Sequence, residues 1–123
     1  MSYRDRATSF LQMCTEGAVR PAFDRYVAPG FVHHNAWFPG DRESLLQAME
    51  QSAASEPNKS FEVKQVIDGG DRVAVLSHLK RANGDAEYAV VHIARFDGDG
   101  RIVELWDLGQ EIPGDSPNAL GMF

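Results

Sequence analysis

The stretch "AEYAVVHIARFDGDGRIVELWDLGQEI" (Ala86 to Ile112) holds two long apolar runs on either side of "DGDG". Aspartate and glycine are typical of the loop between two antiparallel strands. Two earlier runs, "FEVKQVID" and "RVAVLSHLK", are separated by "GG", and "NG" (Asn83-Gly84) follows the second of them. Because short hairpins place successive strands side by side, these runs predict an antiparallel meander. The alternation breaks at Gln65 to Ile67, which predicts a bulge in the first of its strands.

The first half of the chain predicts helices, because its apolar residues recur at helical spacing in three segments. The first helix is capped by Ser2 and ends at Gly17, the second has Pro21 in its first turn, and the third opens at Asp41. Between the second and third, "FVHHN" (Phe31 to Asn35) predicts a short strand. Helices that precede an antiparallel sheet predict an α+β fold with the helices on one face, here as a single domain over residues 1–123.

Composition and charge narrow the function classes. The chain has 123 residues, is 43% hydrophobic and carries a formal charge of −6, which disfavours binding to nucleic acid or to anionic membrane surfaces. Its single cysteine, Cys14, lies among apolar residues and predicts a buried filler. The four histidines lack metal-ligand spacing, and phosphate-binding and dinucleotide-binding motifs are absent. We therefore expect a soluble cytoplasmic protein without metal or cofactor.

Strand register brings two polar residues together. If "DGDG" is an even-length loop, Phe96 pairs with Arg101 and His92 with Leu105. Asp107 then pairs with Val90. His92 and Asp107 are then diagonal neighbours on one sheet face, whereas an odd-length loop would place them on opposite faces. A two-residue turn at "NG" adds Val75 opposite His92. The rest of this face is mostly apolar: Val73, Ser77, Leu79, Tyr88, Val90, Ala94, Phe96, Val103 and Leu105. An apolar surface with a few convergent polar groups is typical of a small-molecule pocket.

The opposite face of the sheet is also apolar. In a sheet with only one covered face, apolar and polar residues alternate more cleanly along each strand than they do here. The second face therefore predicts a homodimer through Trp106, Ile93, Val91 and Leu76. Its other members are His78, Ile102 and Leu108.

Two segments carry a resemblance to a known family. "FVHHN" and "ELWDLGQEIP" resemble segments of the SnoaL-like group of the nuclear transport factor 2-like superfamily. The resemblance implies a cone-shaped, curved antiparallel sheet packed on three N-terminal helices, with an internal pocket and dimerisation through the outer sheet face. Polyketide cyclases, ketosteroid isomerases, dehydratases and non-catalytic domains share this fold.

The same resemblance suggests roles for individual residues. It places His34 and Asn35 on the group's His-Asn pair, and Trp106, Asp107 and Gln110 on its last strand. In the cyclases, an aspartate on that strand is regarded as the base, beside a histidine of the preceding strand, which Asp107 and His92 match. Ala36 and Leu105 depart from the pattern, because the family usually has a proline and a histidine there.

Each candidate also has a structural interpretation. Asp107 can be a paired strand carboxylate, His92 a core histidine, and His34 with Asn35 a brace at the sheet edge. Only one of His33 and His34 can face the pocket, because neighbouring strand residues point to opposite faces. The resemblance favours His34 and leaves His33 at the surface. The expected pocket set is His34, Asn35, Trp37, Tyr88, Ser77, Leu105, Phe23 and Tyr26, of which Trp37, Phe23 and Tyr26 can equally be core.

The favoured function is a cofactor-independent acid–base enzyme, an aldol-type cyclase or a ketone isomerase, that acts on a small apolar carbonyl compound. Asp107 is the expected base, and His92, or Asn35 with His34, would hydrogen-bond the developing oxyanion. An apolar pocket is expected to raise the pKa of Asp107, which makes Asp107→Asn neutral or stabilising at pH 7. A purely structural Asp107, paired and hydrogen-bonded, predicts the reverse: a lowered pKa and a loss of stability on mutation. The alternatives are a non-catalytic ligand-binding domain and a dimerisation module with a vestigial pocket.

Overall fold

The helices and strands follow the predicted order. The computed structural model describes residues 1–81 and 86–123, so the turn predicted at Asn83-Gly84 lies outside the described residues. Three helices and five strands build the α+β fold that the sequence predicts, with the helices packed on a curved five-stranded sheet. The elements are α1 (Tyr3–Thr15), α2 (Val19–Tyr26), β1 (Val27–His34), α3 (Arg42–Ser55), β2 (Ser60–Gly69), β3 (Arg72–Lys80), β4 (Glu87–Phe96) and β5 (Ile102–Glu111).

Side-chain caps set the starts of two helices. Ser2 Oγ accepts from the Asp5 amide at 3.1 Å, and Asp5 Oδ2 accepts from the Ser2 amide at 3.3 Å, which completes a capping box on α1. Asp41 caps α3 by accepting from the Ser44 amide at 3.0 Å. Gly17 follows α1 with φ +94°, a backbone conformation that favours glycine. These boundaries confirm the predicted capping residues.

The sheet is antiparallel except at one edge. Its strand order is β1-β5-β4-β3-β2, and β1 pairs in parallel with β5. The sequence predicted β1 only from Phe31, but the strand starts directly after α2 at Val27. Its pairing is interrupted between Val27 and Val32, where the segment "APG" lies. The bulge predicted in β2 is present and falls between Val63 and Gln65.

The predicted register of β4 and β5 is wrong by two residues. Phe96 pairs with Ile102, which leaves residues 97–101 as a loop of odd length. Asp97 holds that loop, because its Oδ1 accepts from two later backbone amides. A bulge then follows between Arg95 and Phe96, opposite Val103. The odd loop and the bulge each shift the pairing by one residue in the same direction. Together they shift it by two, and an even shift keeps His92 on the same face as Asp107.

The bulge also exchanges two neighbours between the faces. Ile102, predicted on the outer face, is fully buried, and Val103, predicted on the inner face, is half-buried. The inner face packs on the helices and forms the main core with them. The outer face, which carries Leu76, Ile93 and Trp106, is half-buried in the single chain.

Candidate functional site

His92 and Asp107 lie directly opposite each other on the central strands β4 and β5. His92 Nε2 is 3.3 Å from Asp107 Oδ1, and the two side chains are only 10% and 18% exposed. The sequence predicted a diagonal pair about 7 Å apart between backbones. The direct pairing places an imidazole and a carboxylate in contact in a site that largely excludes water.

Asn35 completes the site from the end of β1. Its Nδ2 donates to Asp107 Oδ2 at 2.8 Å, and its Oδ1 accepts from the Trp37 amide at 3.0 Å. The backbone partner fixes the side-chain orientation, because only the oxygen of the amide can accept from an N–H group. Each carboxylate oxygen of Asp107 therefore has one polar partner, His92 on one side and Asn35 on the other.

The two neighbouring histidines have exchanged the predicted places. His33, expected at the surface, is 4% exposed, and its partner across to β5 is the core residue Leu105. His34, expected in the pocket, is exposed on the outer face, where it stacks on Trp106 with 5.0 Å between ring centroids. The parallel register with β5 decides this, because His33 falls on the face of Leu105 and His34 on the face of Trp106.

His33 holds the loop that carries Asn35. Its Nδ1 accepts from the Asn35 amide at 3.0 Å, and its Nε2 lies 2.6 Å from the Pro39 carbonyl oxygen. These partners require a neutral ring with the proton on Nε2. Its own amide donates to the Gly40 carbonyl at 3.0 Å, so the loop is tied at both ends. His33 is a positioning residue that sequence reasoning missed.

The Asp107 carboxylate is stabilised in its ionised form. Burial is the largest single influence and raises its pKa, as the sequence predicted. The hydrogen bond and the electrostatic attraction of His92, together with the hydrogen bond from Asn35, outweigh burial and hold the pKa of Asp107 below its ordinary value. The predicted raised pKa is therefore wrong, and the direction is the one expected of a paired, hydrogen-bonded carboxylate, because His92 and then Asn35 outweigh the apolar surroundings.

Two buried polar atoms beside the site lack a partner within the described ranges. They are His92 Nδ1 and Ser77 Oγ. Ser77 lies on the inner face of β3, two residues along from Val75, the partner of His92. Buried polar groups without a hydrogen bond are costly, and they often mark the place of a water or a functional contact. His92 can thus interact on one ring edge with Asp107 while its other nitrogen stays uncommitted.

A cavity of about 280 Å³ opens between the helices and the inner sheet face, and Asp107, His92 and Asn35 line it. This volume lies near the lower end of the range for small-molecule pockets. Most of the wall is apolar and comes from α1, α3 and the strands. The remaining lining residues are Leu11, Cys14, Thr15, Phe38, Leu45, Ala48, Met49, Ser52, Lys59, Phe61, Leu79 and Val90.

Several predicted pocket residues lie elsewhere. Phe23 and Tyr26 are buried in the core between the helices and the sheet, which confirms the alternative that they are core residues. Trp37 is 85% exposed, and its amide donates to Asn35 Oδ1 in the loop after β1. Ser77 and Leu105 are on the predicted face but fully buried, outside the cavity wall.

Tyr88, expected in the pocket, is outside the cavity wall. It is on the inner-face register of β4, but the guanidinium of Arg81 lies over its ring at 5.5 Å. It is half-buried and does not line the cavity. Position 105, where the family usually has a histidine, is likewise a core position in this chain.

The sequence analysis did not identify the helix residues that line the cavity, nor the cavity lysine, Lys59. Leu11, Cys14, Leu45 and Met49 are on the helix faces that the periodicity marked as apolar, so core and cavity wall share one signal. Burial raises the pKa of the Cys14 thiol to about 12, which leaves it protonated and unreactive. Lys59 follows α3 in a turn that no sequence pattern connects to the strands.

Polar groups on the outer face form a separate cluster. Glu104 accepts from Arg95 at 3.0 Å and lies 2.6 Å from His34 Nε2. Arg72 lies over the Trp106 ring at 5.4 Å. These contacts cover part of the outer face and do not reach the cavity.

The fold and the site match a known family. The SnoaL-like domain family matches residues 7–105, which is most of the chain. The chain belongs to the SnoaL-like family. No curated protein shows significant sequence similarity to it.

Solved structures agree with the fold of this SnoaL-like protein. IdmH from Streptomyces antibioticus, described as a candidate polyketide cyclase, is 21% identical with a TM-score of 0.74, over 89% of this chain and 93% of that one. A candidate polyketide cyclase from Acidithiobacillus ferrooxidans is 19% identical with a TM-score of 0.73, over 89% and 92%. A candidate isomerase of the SnoaL-like family from Agrobacterium tumefaciens is 12% identical with a TM-score of 0.72, over 89% and 99%. At these identities the similarity establishes the fold.

Among the described helices, none has the length and apolar character needed to cross a membrane. Within residues 1–81 and 86–123, no group of three or more His, Cys, Asp or Glu side chains is arranged to hold a metal ion.

Proposed function

We propose that this SnoaL-like protein is a cofactor-independent acid–base enzyme in which Asp107 removes a proton from a carbon next to a carbonyl group. One observation carries the proposal: a single carboxylate lies in a mostly apolar cavity and is held on one oxygen by His92 and on the other by Asn35. The family and the candidate cyclases and isomerase among its structural neighbours support a reaction of this class.

The two partners prepare the carboxylate to act as a base. Each oxygen of an ionised carboxylate offers about two lone-pair directions, and Asp107 uses one on each oxygen. A lone pair is left to accept the substrate proton. Because His92 and Asn35 fix the carboxylate, it does not have to reorient during the transfer.

The lowered pKa of Asp107 defines the substrate class. A base of low pKa abstracts a proton efficiently only from a relatively acidic carbon. A carbon between two carbonyl groups meets this requirement, whereas a simple ketone is a much weaker acid. We therefore assign the protein a compact 1,3-dicarbonyl substrate.

Asn35 is the donor that we assign to the developing enolate. Its Nδ2 carries two hydrogens, and the described residues show an acceptor for only one of them, Asp107. The second hydrogen can donate to the enolate oxygen while the C–H proton moves to Asp107. His34, which the sequence suggested for this role, is on the opposite face of the sheet.

The enolate then has two outcomes. Its carbon attacks a second carbonyl of the same molecule and forms a new C–C bond, while the C=O π bond opens to an alkoxide that takes the proton back from Asp107; this is an aldol-type cyclisation. Alternatively, Asp107 returns the proton to a different carbon, which is an isomerisation. Both outcomes begin with the same proton transfer, so one experiment tests both.

The test follows enolisation of a bicyclic 1,3-diketone. We expect the wild-type protein to accelerate the keto–enol relaxation of 2-acetyl-1-tetralone, followed by ultraviolet absorbance after dilution from dry acetonitrile. Asp107→Asn should lose about 10²–10⁴ of that acceleration, the usual contribution of a positioned general base. No acceleration above buffer across a panel of cyclic 1,3-diketones would contradict the proposal.

A non-catalytic ligand-binding domain is the second candidate. The same low pKa favours it, because a permanently ionised Asp107 is a fixed hydrogen-bond acceptor for a ligand. It predicts binding without turnover. A ligand at 100 times its Kd should stabilise the fold by about 2.7 kcal/mol, and a dimerisation module with a vestigial pocket predicts no such gain.

We also propose that the protein is a homodimer through its outer sheet face. Ile93 and Trp106 are directly paired on β4 and β5 and are half-buried in the single chain. On the same outer face, but on β3, Phe123 of the C-terminal tail stacks on His78 with 4.8 Å between ring centroids. The tail covers the β3 side, so the contact is centred on Ile93 and on Trp106, whose ring also packs on His34 and Arg72 of its own chain.

A further inference from the structure

The cavity contains a cation as well as a carboxylate. Lys59 and Asp107 both line it. Asp107 is on β5, and Lys59 immediately precedes β2, the edge strand on the other side of β4 and β3. The two charged side chains therefore reach the cavity from strands that β4 and β3 separate in the sheet.

Lys59 is held at the wall by α3. Its ammonium donates to Ser52 Oγ, and Ser52 also lines the cavity. Asn58, directly before it, adopts φ 69°, the left-handed conformation that asparagine tolerates better than most residues. This turn joins α3 to β2 and places the lysine at the cavity.

The nearest carboxylate is already engaged. Glu56 Oε1 lies 2.8 Å from Arg81 Nη1. Among residues 1–81 and 86–123, no carboxylate lies within ion-pair distance of Lys59. Burial lowers the pKa of Lys59, and Glu56 offsets that effect only in part. A partly desolvated ammonium without a carboxylate gains most from an anionic ligand group.

We infer that the ligand of this protein carries a carboxylate that binds Lys59, at the end of the molecule remote from the carbon that faces Asp107. The inference rests on the proposed function only in taking this cavity as the ligand site. The ligand class is a 1,3-dicarbonyl acid: an apolar ring body, the dicarbonyl unit at the Asp107 end and a carboxylate at the Lys59 end. Its length is limited by the cavity of about 280 Å³.

The test compares two probes that differ in one charge. They are 6-acetyl-2-naphthoic acid and its neutral isostere 6-acetyl-2-naphthamide, titrated by isothermal calorimetry. We expect the wild-type protein to bind the acid about tenfold more tightly than the amide, as one charged hydrogen bond provides. Lys59→Met should remove the preference by weakening the acid alone, and Lys59→Arg should retain most of it.

A matched control uses a lysine outside the cavity. Lys64 contacts Glu62 and the Phe123 ring on the outer face, so Lys64→Met should leave the preference unchanged. Equal binding of acid and amide, a preference that survives in Lys59→Met, or no binding of the acid at millimolar concentration would each overturn the inference. Thermal melts of the variants separate loss of the charge from loss of the fold.

The outcome is separable from that of the proposed function. If the wild-type protein prefers the acid but does not enolise diketones, Lys59 still selects the ligand and only the catalytic proposal fails. If enolisation depends on Asp107 but Lys59→Met leaves both affinities unchanged, the catalytic proposal stands and this inference fails.

Discussion

Asn35, in the loop directly after the edge strand β1, and Asp107, on the neighbouring strand β5, are joined by a 2.8 Å hydrogen bond from amide Nδ2 to carboxylate Oδ2. Asn35 is in turn tied to the Trp37 amide and to His33. The short loop after β1 therefore sets the position of the carboxylate, although it is remote from Asp107 in sequence. A site assembled in this way depends on the loop as much as on the central strands.

Asn35→Leu should raise the pKa of Asp107 and slow enolisation. Leucine keeps the approximate volume but removes the donor that helps to offset burial. Carboxyl-carbon NMR titration measures the pKa. Asn118→Leu, in the C-terminal tail, is the matched control and should change neither quantity. An unchanged Asp107 pKa in Asn35→Leu would show that the hydrogen bond does not tune the carboxylate.

Asp107→Asn should destabilise the fold at pH 7. A carboxyl whose pKa is lower in the folded than in the unfolded state stabilises the protein above the unfolded pKa of about 3.9, and that contribution is lost as the pH falls through the folded pKa. Urea unfolding should thus show a larger wild-type advantage at pH 7 than in strong acid. This reverses the expectation from sequence. A variant that is equally or more stable at pH 7 would restore the raised-pKa interpretation.

Cys14 should react slowly in the native protein although it lines the cavity. Burial raises the pKa of its thiol to about 12, so little thiolate is present at pH 8. Labelling with Ellman's reagent should be fast in urea and slow in native buffer, and 6-acetyl-2-naphthoic acid should slow it further. Rapid native labelling that the acid does not affect would contradict this placement of the thiol.

Ile93→Glu should give a monomer or an aggregate if the outer face forms the dimer. A carboxylate buried without a partner costs several kcal/mol, which an interface centred on this position does not tolerate. Size-exclusion chromatography with light scattering gives the mass. Ala54→Glu, at an exposed position of α3, is the control. A wild-type protein that is monomeric at micromolar concentration would refute the dimer.

The sequence predicted those features that depend on local signals. Turn residues located the four antiparallel strands, and Ser2, Gly17 and Asp41 located helix ends, because caps and turns act on their immediate neighbours. That His92 and Asp107 share one face was also predicted, although as diagonal neighbours and not as a direct pair. The prediction holds in spite of the wrong register because the odd loop and the bulge at Val103 together shift the pairing by two residues, which leaves both side chains on that face.

The features that the sequence missed depend on contacts between distant segments. Which of His33 and His34 faces inward is decided by the parallel register of β1 against β5, and no turn connects these strands. The lowered pKa of Asp107 comes first from His92 and then from Asn35, which reaches the carboxylate from a distant loop. The cavity cation Lys59 comes from a turn with no strand signal. Long-range placement of this kind has no counterpart in local periodicity.

The pH dependence of enolisation in wild type and His92→Phe tests the role of Asp107 most directly. The acid limb of kcat/KM reports the pKa of the essential base in the free enzyme. We expect the wild-type limb below the ordinary carboxylate value of about 3.9. In His92→Phe the limb should move to higher pH, together with the Asp107 pKa measured by carboxyl-carbon NMR, because the histidine no longer offsets burial. A limb that stays in place while the Asp107 pKa rises would show that another group is the base and would contradict the assignment.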